Sequence, residues 1–232
     1  MPPQSASHPM FARFYGRVAP LADRRGLARR RPPLLADLAG EVIEVGAGIG
    51  LNFPHYPPSV TRVVAVEPEP RLRLLASQAA ARALVKVEVI DGLAERLPVG
   101  DASFDAAVAC LVLCAVSDHR AALIEMRRVV RPGGELRFFE HVAVDTPGFH
   151  RVQTLLDTVM WPALFGGCHL GRDTVAAITD AGFTMSQFDQ VSYPGSRMML
   201  PFALHVHGIA HRAVTPARAA AAAGEEEGPC NA

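Results

Sequence analysis

From Glu41 onward, short apolar runs alternate with segments whose apolar residues recur every three or four positions. The first pattern predicts buried strands and the second amphipathic helices. Strands are expected at Val42–Val45, Thr61–Val66, Lys86–Ile90, Phe104–Leu113 and Glu135–Val142. Helices are expected at Glu69–Arg82, with Leu72, Leu75 and Ala79 on one face, and at His119–Arg131, stopped by Pro132-Gly133-Gly134. Such alternation is the signature of an α/β, doubly wound, mostly parallel sheet. The almost unbroken apolar run of the fourth strand suits the centre of that sheet.

Beyond Val142 the pattern loosens. His150–Phe165 reads as a helix interrupted by Pro162, followed by the turn Gly166-Gly167-Cys168. Arg172–Ala181 reads as a helix capped by Asp173 and ended by Gly182, with Phe183–Tyr193 and Phe202–His211 as two further strands. Ahead of the first strand, residues 8–39 form amphipathic helical pieces broken by Pro20 and Pro32-Pro33. The expected organisation is an N-terminal helical segment (1–40), an α/β domain (41–212) and an alanine-rich, then acidic, disordered tail (213–232). No internal repeat is apparent.

Composition narrows the partners. The chain has 232 residues, half of them hydrophobic, with 23 basic and 23 acidic residues and a formal charge of zero. That balance advertises neither nucleic acid nor an anionic membrane as partner. No apolar run of about 18 residues predicts a spanning helix, and the N-terminus has no apolar signal-peptide core, so a cytoplasmic protein is expected. Five arginines (Arg24, Arg25, Arg29, Arg30 and Arg31) fall close together. They read as a solvated helix face, with a basic patch for an acidic substrate or membrane surface as the other reading. Cys110 and Cys114 lie in an apolar run as small hydrophobes, and their C-x-x-x-C spacing lacks a second pair to complete a zinc site, so no metal is expected.

The chemistry starts at EVIEVGAGIG, Glu41–Gly50. A buried strand runs into Gly46, Gly48 and Gly50, residues that let the backbone turn and a ligand lie against bare amides. The G-x-G-x-G order differs from the dinucleotide fingerprint, whose third glycine would fall at Leu51. Glu44, just before the loop, suits a ligand with an ammonium or sulfonium group better than a pyrophosphate. Glu67, at the end of the second strand, occupies the position that faces the ribose of a bound nucleoside.

EVGAGIG, VVAVEP, DGLAERLP, DASFDAAVA and RVVRPGGELRF together resemble class I S-adenosylmethionine-dependent methyltransferases, in the branch similar to ubiquinone/menaquinone C-methyltransferases. LVLCAV, FFEHV and GGCHLGRDT narrow the likeness to a subgroup that includes animal thiol S-methyltransferases. The resemblance implies a seven-stranded, Rossmann-like methyltransferase fold with S-adenosyl-L-methionine as cofactor. It implies that Gly46, Ala47 and Gly48 approach the methionine part, that Glu44 sits near its charged end, and that Glu67, beside Pro68, binds the ribose hydroxyls. Gly92, Leu93 and Ala94 would meet the adenine, with Leu93 standing where many members have aspartate and Asp91 left open as its substitute. Cys110 and Leu111 would lie beside the transferable methyl group. The animal enzymes carry an N-terminal membrane anchor, a feature not carried over to this chain.

The cofactor brings the reactivity, so the protein supplies alignment, desolvation and, for some acceptors, a base. A thiol needs little help to ionise, whereas an alcohol or carbon acid needs a base. Glu140 and His141, at the tip of the fifth strand, are the candidate catalytic pair; their side chains point to opposite faces. His169 and Arg172 are candidates for the acceptor pocket. Leu155, Leu156, Met160, Trp161, Phe165, Met198, Met199 and Phe202 read either as a hydrophobic acceptor pocket or as core packing. The expected function is methyl transfer to a small hydrophobic acceptor, a thiol, quinol or phenol. A nicotinamide-dependent reductase and a non-catalytic cofactor-binding protein are the competing readings.

Overall fold

Parallel pairing dominates because helices return the chain across the sheet between successive strands. The computed structural model describes residues 9–24, 26–142, 153, 167–192 and 204–214. Seven strands are present: β1 (Gly40–Val45), β2 (Val60–Val66), β3 (Val87–Ile90), β4 (Phe104–Cys110), β5 (Val130–His141), β6 (Phe183–Ser192) and β7 (Leu204–Arg212). They lie in the order β3-β2-β1-β4-β5-β7-β6. Strands β1 to β5 pair in parallel, whereas β7 runs antiparallel to both β5 and β6. The described helices are α1 (Pro9–Arg24), α2 (Arg31–Leu35), α3 (Pro70–Ala80), α4 (His119–Val129) and α5 (Thr174–Asp180).

The period of two along each strand builds two cores. Val42, Val63, Ala65, Ala106, Val108 and Phe139 face one side, where Leu34, Leu35, Leu38 and Ala76 cover them. Ile43, Val64, Ala107, Leu136 and Phe138 face the other, under Leu123, Met126, Ala177 and Ile178. Each fully buried aliphatic or aromatic side chain contributes roughly 1.5–3 kcal/mol. The predicted helix ends are capped as their sequences ask: Glu69, Asp118 and Asp173 accept from the first-turn amides of α3, α4 and α5.

Two strand boundaries differ from expectation by three residues or more. The fourth strand ends at Cys110 rather than Leu113, because Leu111 turns to a φ of 58° and leaves the sheet. The fifth strand begins at Val130, ahead of the Pro132-Gly133-Gly134 stop, with Phe104 paired to Val130 before an irregularity carries the chain to Glu135. Apart from Gln153, the predicted helix at 150–165 lies outside the described residues, as do the apolar acceptor-pocket residues named above and the tail from 215. Among the described residues no helix is long and apolar enough to cross a membrane.

Candidate active site

The carboxyl ends of β1, β2, β4 and β5 share one edge of the sheet, where ligands of doubly wound proteins bind. The loop after β1 is shaped by Gly46, Gly48 and Gly50, with φ of 72°, 58° and 80°. Only glycine takes this conformation without strain. A Cβ on Gly46 would also collide with the Val112 side chain, and one on Gly48 would stand 3.4 Å from the Tyr15 ring. The amides of Gly46 and Ala47 donate to Val66 O at 2.9 and 3.1 Å and that of Gly50 to Ala47 O at 2.9 Å, so the loop is braced from within, with Tyr15 of α1 beside Gly48.

Glu67 fastens that cradle to the tip of β2. Its Oε2 accepts from Gly48 N at 2.7 Å and its Oε1 from Glu69 N at 3.0 Å. Burial pushes its carboxyl up to about 7, against the pull of those amides. Arg73 Nη1 donates to the carbonyls of Glu67 and Pro68 and to Asp91 Oδ1, which fixes the tip. Asp91 is thus an exposed ion-pair partner of Arg73. Gly92 and half-buried Leu93 follow, and buried Ala94 packs into the core beside them.

Glu44, expected near the charged end of the cofactor, is held by partners within the chain. It is 2% exposed, and both oxygens are taken by the chain itself: Oε1 by Asn52 Nδ2 at 3.0 Å, Oε2 by Tyr56 Oη at 2.7 Å. Burial raises its carboxyl to about 7. The network continues through Arg31, whose Nη1 donates to Asn52 Oδ1 at 2.6 Å and to Cys110 Sγ at 3.4 Å, while its Nε pairs with Asp23 at 2.7 Å. Glu44 therefore supports the loop from beneath. Arg31 is buried, so it does not belong to the solvated arginine face the sequence led us to expect. Sequence reasoning missed Asn52, Tyr56 and Asp23; Asn52, two residues past Gly50, was the one readable signal.

At the end of β4, burial pushes the Cys110 thiol up to about 12. Glu140 is the second correction. It is fully buried, Oε1 accepting from Val112 N and Leu113 N at 2.9 Å each and Oε2 from Cys114 N at 3.3 Å. A carboxylate so engaged holds the loop after β4 in shape and is not a mobile base. Leu111 is half-buried, its amide donating to Phe139 O at 2.8 Å. Arg172 clamps the same loop through Leu113 O and Val116 O, at 2.6 and 2.8 Å, and His169 N donates to Cys114 O.

His141 remains as the half-buried polar group at the β5 tip. Its ring tilts against His205 at 4.3 Å, and its Nδ1 lies 3.6 Å from Cys114 Sγ. Cys168 joins this pair, supplying with His141 the donor atoms that the C-x-x-x-C spacing lacked. Burial, the Cys168 thiol and Glu140 hold the Cys114 thiol well above its ordinary range, the contact with Cys168 foremost.

Residues 43–138 match a family described as a methyltransferase domain. The chain is 36% identical over 174 residues to thiol S-methyltransferase TMT1A of Homo sapiens, covering 73% of this chain and 69% of that protein. In fold it is similar to the N-methyltransferase NodS of Bradyrhizobium japonicum in complex with S-adenosyl-L-homocysteine, at a TM-score of 0.61 and 18% identity, over 80% of this chain and 86% of that one. The [4+2]-cyclase SpnF superposes at 0.66 and 19% identity, over 88% and 95%. A fold shared by a methyltransferase and a cyclase does not choose the chemistry; the site must.

Proposed function

The chain belongs to the S-adenosylmethionine-dependent methyltransferases, in the same family as thiol S-methyltransferase TMT1A, and on that premise we propose that its acceptor is a small hydrophobic thiol. The observation that carries the choice is the commitment of Glu140 to three backbone amides. A site whose best-placed carboxylate is spent on structure suits an acceptor that ionises with little assistance. Thiols do so near neutrality, while phenols and alcohols do not.

S-adenosylmethionine, when bound, supplies a methyl group on a sulfonium sulfur. In this reading the small-residue surface of Gly46, Ala47 and Gly48 lies against the methionine portion. Glu67 accepts from the two ribose hydroxyls with the lone pairs its amide partners leave over. Leu93 and Ala94 pack the adenine edge. Cys110 and Leu111 line the path to the acceptor, and His141 faces it from the β5 tip. Residues 41–212 act as the cofactor-binding domain, with α1 and Tyr15 covering the loop. The balanced charge of the chain fits a cytoplasmic enzyme of small molecules rather than a nucleic-acid binder.

The test is a panel of alkyl and aryl thiols, phenols, quinols and amines, each incubated with the purified chain and labelled cofactor. Thioether products from the thiols are expected. Robust quinol methylation with inert thiols would sink the assignment.

A further inference from the structure

Three side chains from separate segments converge at the loop after β4. Cys114 Sγ is 3.6 Å from His141 Nδ1, and with Cys168 the three donor atoms lie within 4.8 Å of one another. We propose that Cys114, His141 and Cys168 form a three-ligand site for a divalent transition metal, zinc by preference, whose fourth position takes the acceptor thiol. The last clause rests on the thiol reading above; the metal site itself does not.

The donor set is soft and mixed, the kind that selects zinc over magnesium or calcium. Bonds of about 2.3 Å to sulfur and 2.0–2.1 Å to nitrogen at a tetrahedral angle place sulfur and nitrogen about 3.6 Å apart. Cys114 and His141 already stand at that separation. Two thiolates and a neutral imidazole would balance a 2+ ion inside a buried environment.

The backbone holds these donors in place. Glu140, the neighbour of His141, grips the amides of Val112, Leu113 and Cys114. His169 N, the neighbour of Cys168, donates to Cys114 O at 2.7 Å. Gly167, at a φ of 90°, approaches so closely that a Cβ there would stand 2.7 Å from Ala115 O. The His205 ring against His141 fixes the imidazole plane. Cys114 and Cys168 are 2% and 8% exposed, while His141 is half-buried, so the set opens on the histidine side. Three protein donors are the number found where a metal keeps a position for its reactant. Val112, two residues before Cys114, packs on Gly46, so this position borders the cofactor loop.

On coordination the acceptor thiol gives its proton to a solvent base and its sulfur electron pair to the metal. In the transfer that sulfur forms the new bond to the methyl carbon. The sulfonium carbon–sulfur bond breaks, its electrons staying on the departing thioether. The methylated product, a neutral and weak ligand, yields its place to water.

The experiment uses the full chain, stripped with chelator, kept under a phosphine reductant and titrated with Co²⁺ alone. One equivalent should produce tetrahedral d–d bands and a thiolate-to-cobalt charge-transfer band, both abolished by Zn²⁺. A small alkyl thiol should then shift the d–d bands. Cys114→Ser, Cys168→Ser and His141→Gln should each lose the one-equivalent spectrum while thermal unfolding shows them folded; His141→Gln, the least buried, serves if a cysteine variant fails to fold. Absence of the bands in folded, reduced protein overturns the site, as does their persistence in the variants. A d–d spectrum unmoved by thiol overturns the fourth-position assignment. Undiminished thiol methylation by metal-free protein removes the metal from the reaction and leaves the thiol reading standing. Stoichiometric cobalt binding with methylation of quinols alone does the reverse.

Discussion

The tips of β2 and β5 solve the same problem in different ways. Each carries a buried glutamate, Glu67 or Glu140, whose carboxyl burial raises to about 7 and whose oxygens accept from backbone amides of a neighbouring loop. Glu67 takes one amide on each oxygen and keeps 5% exposure. Glu140 takes three amides and keeps none. A carboxylate offers about four lone-pair positions. The β2 tip therefore retains acceptor capacity beside open backbone, while the β5 tip has turned its acid into a loop fastener. An acid at a strand end becomes a ligand contact only where the loops leave it something to accept.

The largest test of that contrast is Glu140→Ala. It orphans three buried amides, and a loss of about 3–5 kcal/mol is expected in urea unfolding. Glu67→Ala should cost less than half of that, and equal losses would erase the distinction.

Titration tests both tips together. The ordinary carboxyl value of 4.5 rises to about 7 for Glu67, Glu140 and Glu44. Between those values the folded chain keeps protons that the unfolded chain has released, so ligand-free stability falls as pH rises from 4.5 to about 7 and then levels. The expected loss is on the order of several kcal/mol across the three groups. Stability that climbs through this window would contradict the burial of these carboxyls. Cofactor affinity should run the opposite way, rising as Glu67 ionises near 7, and Glu67→Gln should flatten that rise.

Glu67→Ala should weaken cofactor binding by about 1–3 kcal/mol through lost charge-assisted hydrogen bonds. Unchanged affinity in calorimetric titration would refute the ribose contact. The smallest effect is expected for Asp173→Ala, which removes the cap on Ala176 N and with it about 1 kcal/mol of thermal stability. A larger loss would mean that the cap also secures the docking of residues 168–172 onto the loop after β4.

The strands from β1 to β5, the cap at Asp173, the turn glycines of the cradle and the acid at the β2 tip were all legible beforehand. Each is written within a few neighbouring residues, in apolar periodicity or turn chemistry, and needs no distant partner to be read. Arg31 illustrates the other kind. Among the described arginines of that cluster, it meets Asp23, Asn52 and Cys110, because α2 packs against β5 and the turn at Phe53–His55.

Glu140 looked like a base because its place at a strand end was visible and its three amides were not. Cys114 lacked metal-ligand company in the sequence because His141 and Cys168 arrive from β5 and from the turn before α5. The sequence by itself determined the sheet, its helical cover and the glycine-rich turn after β1. Only the tertiary structure decided which buried charges were spent on holding loops and which donors came together. Local patterns follow from backbone geometry, but the partner of a buried polar group is whatever packing brings beside it.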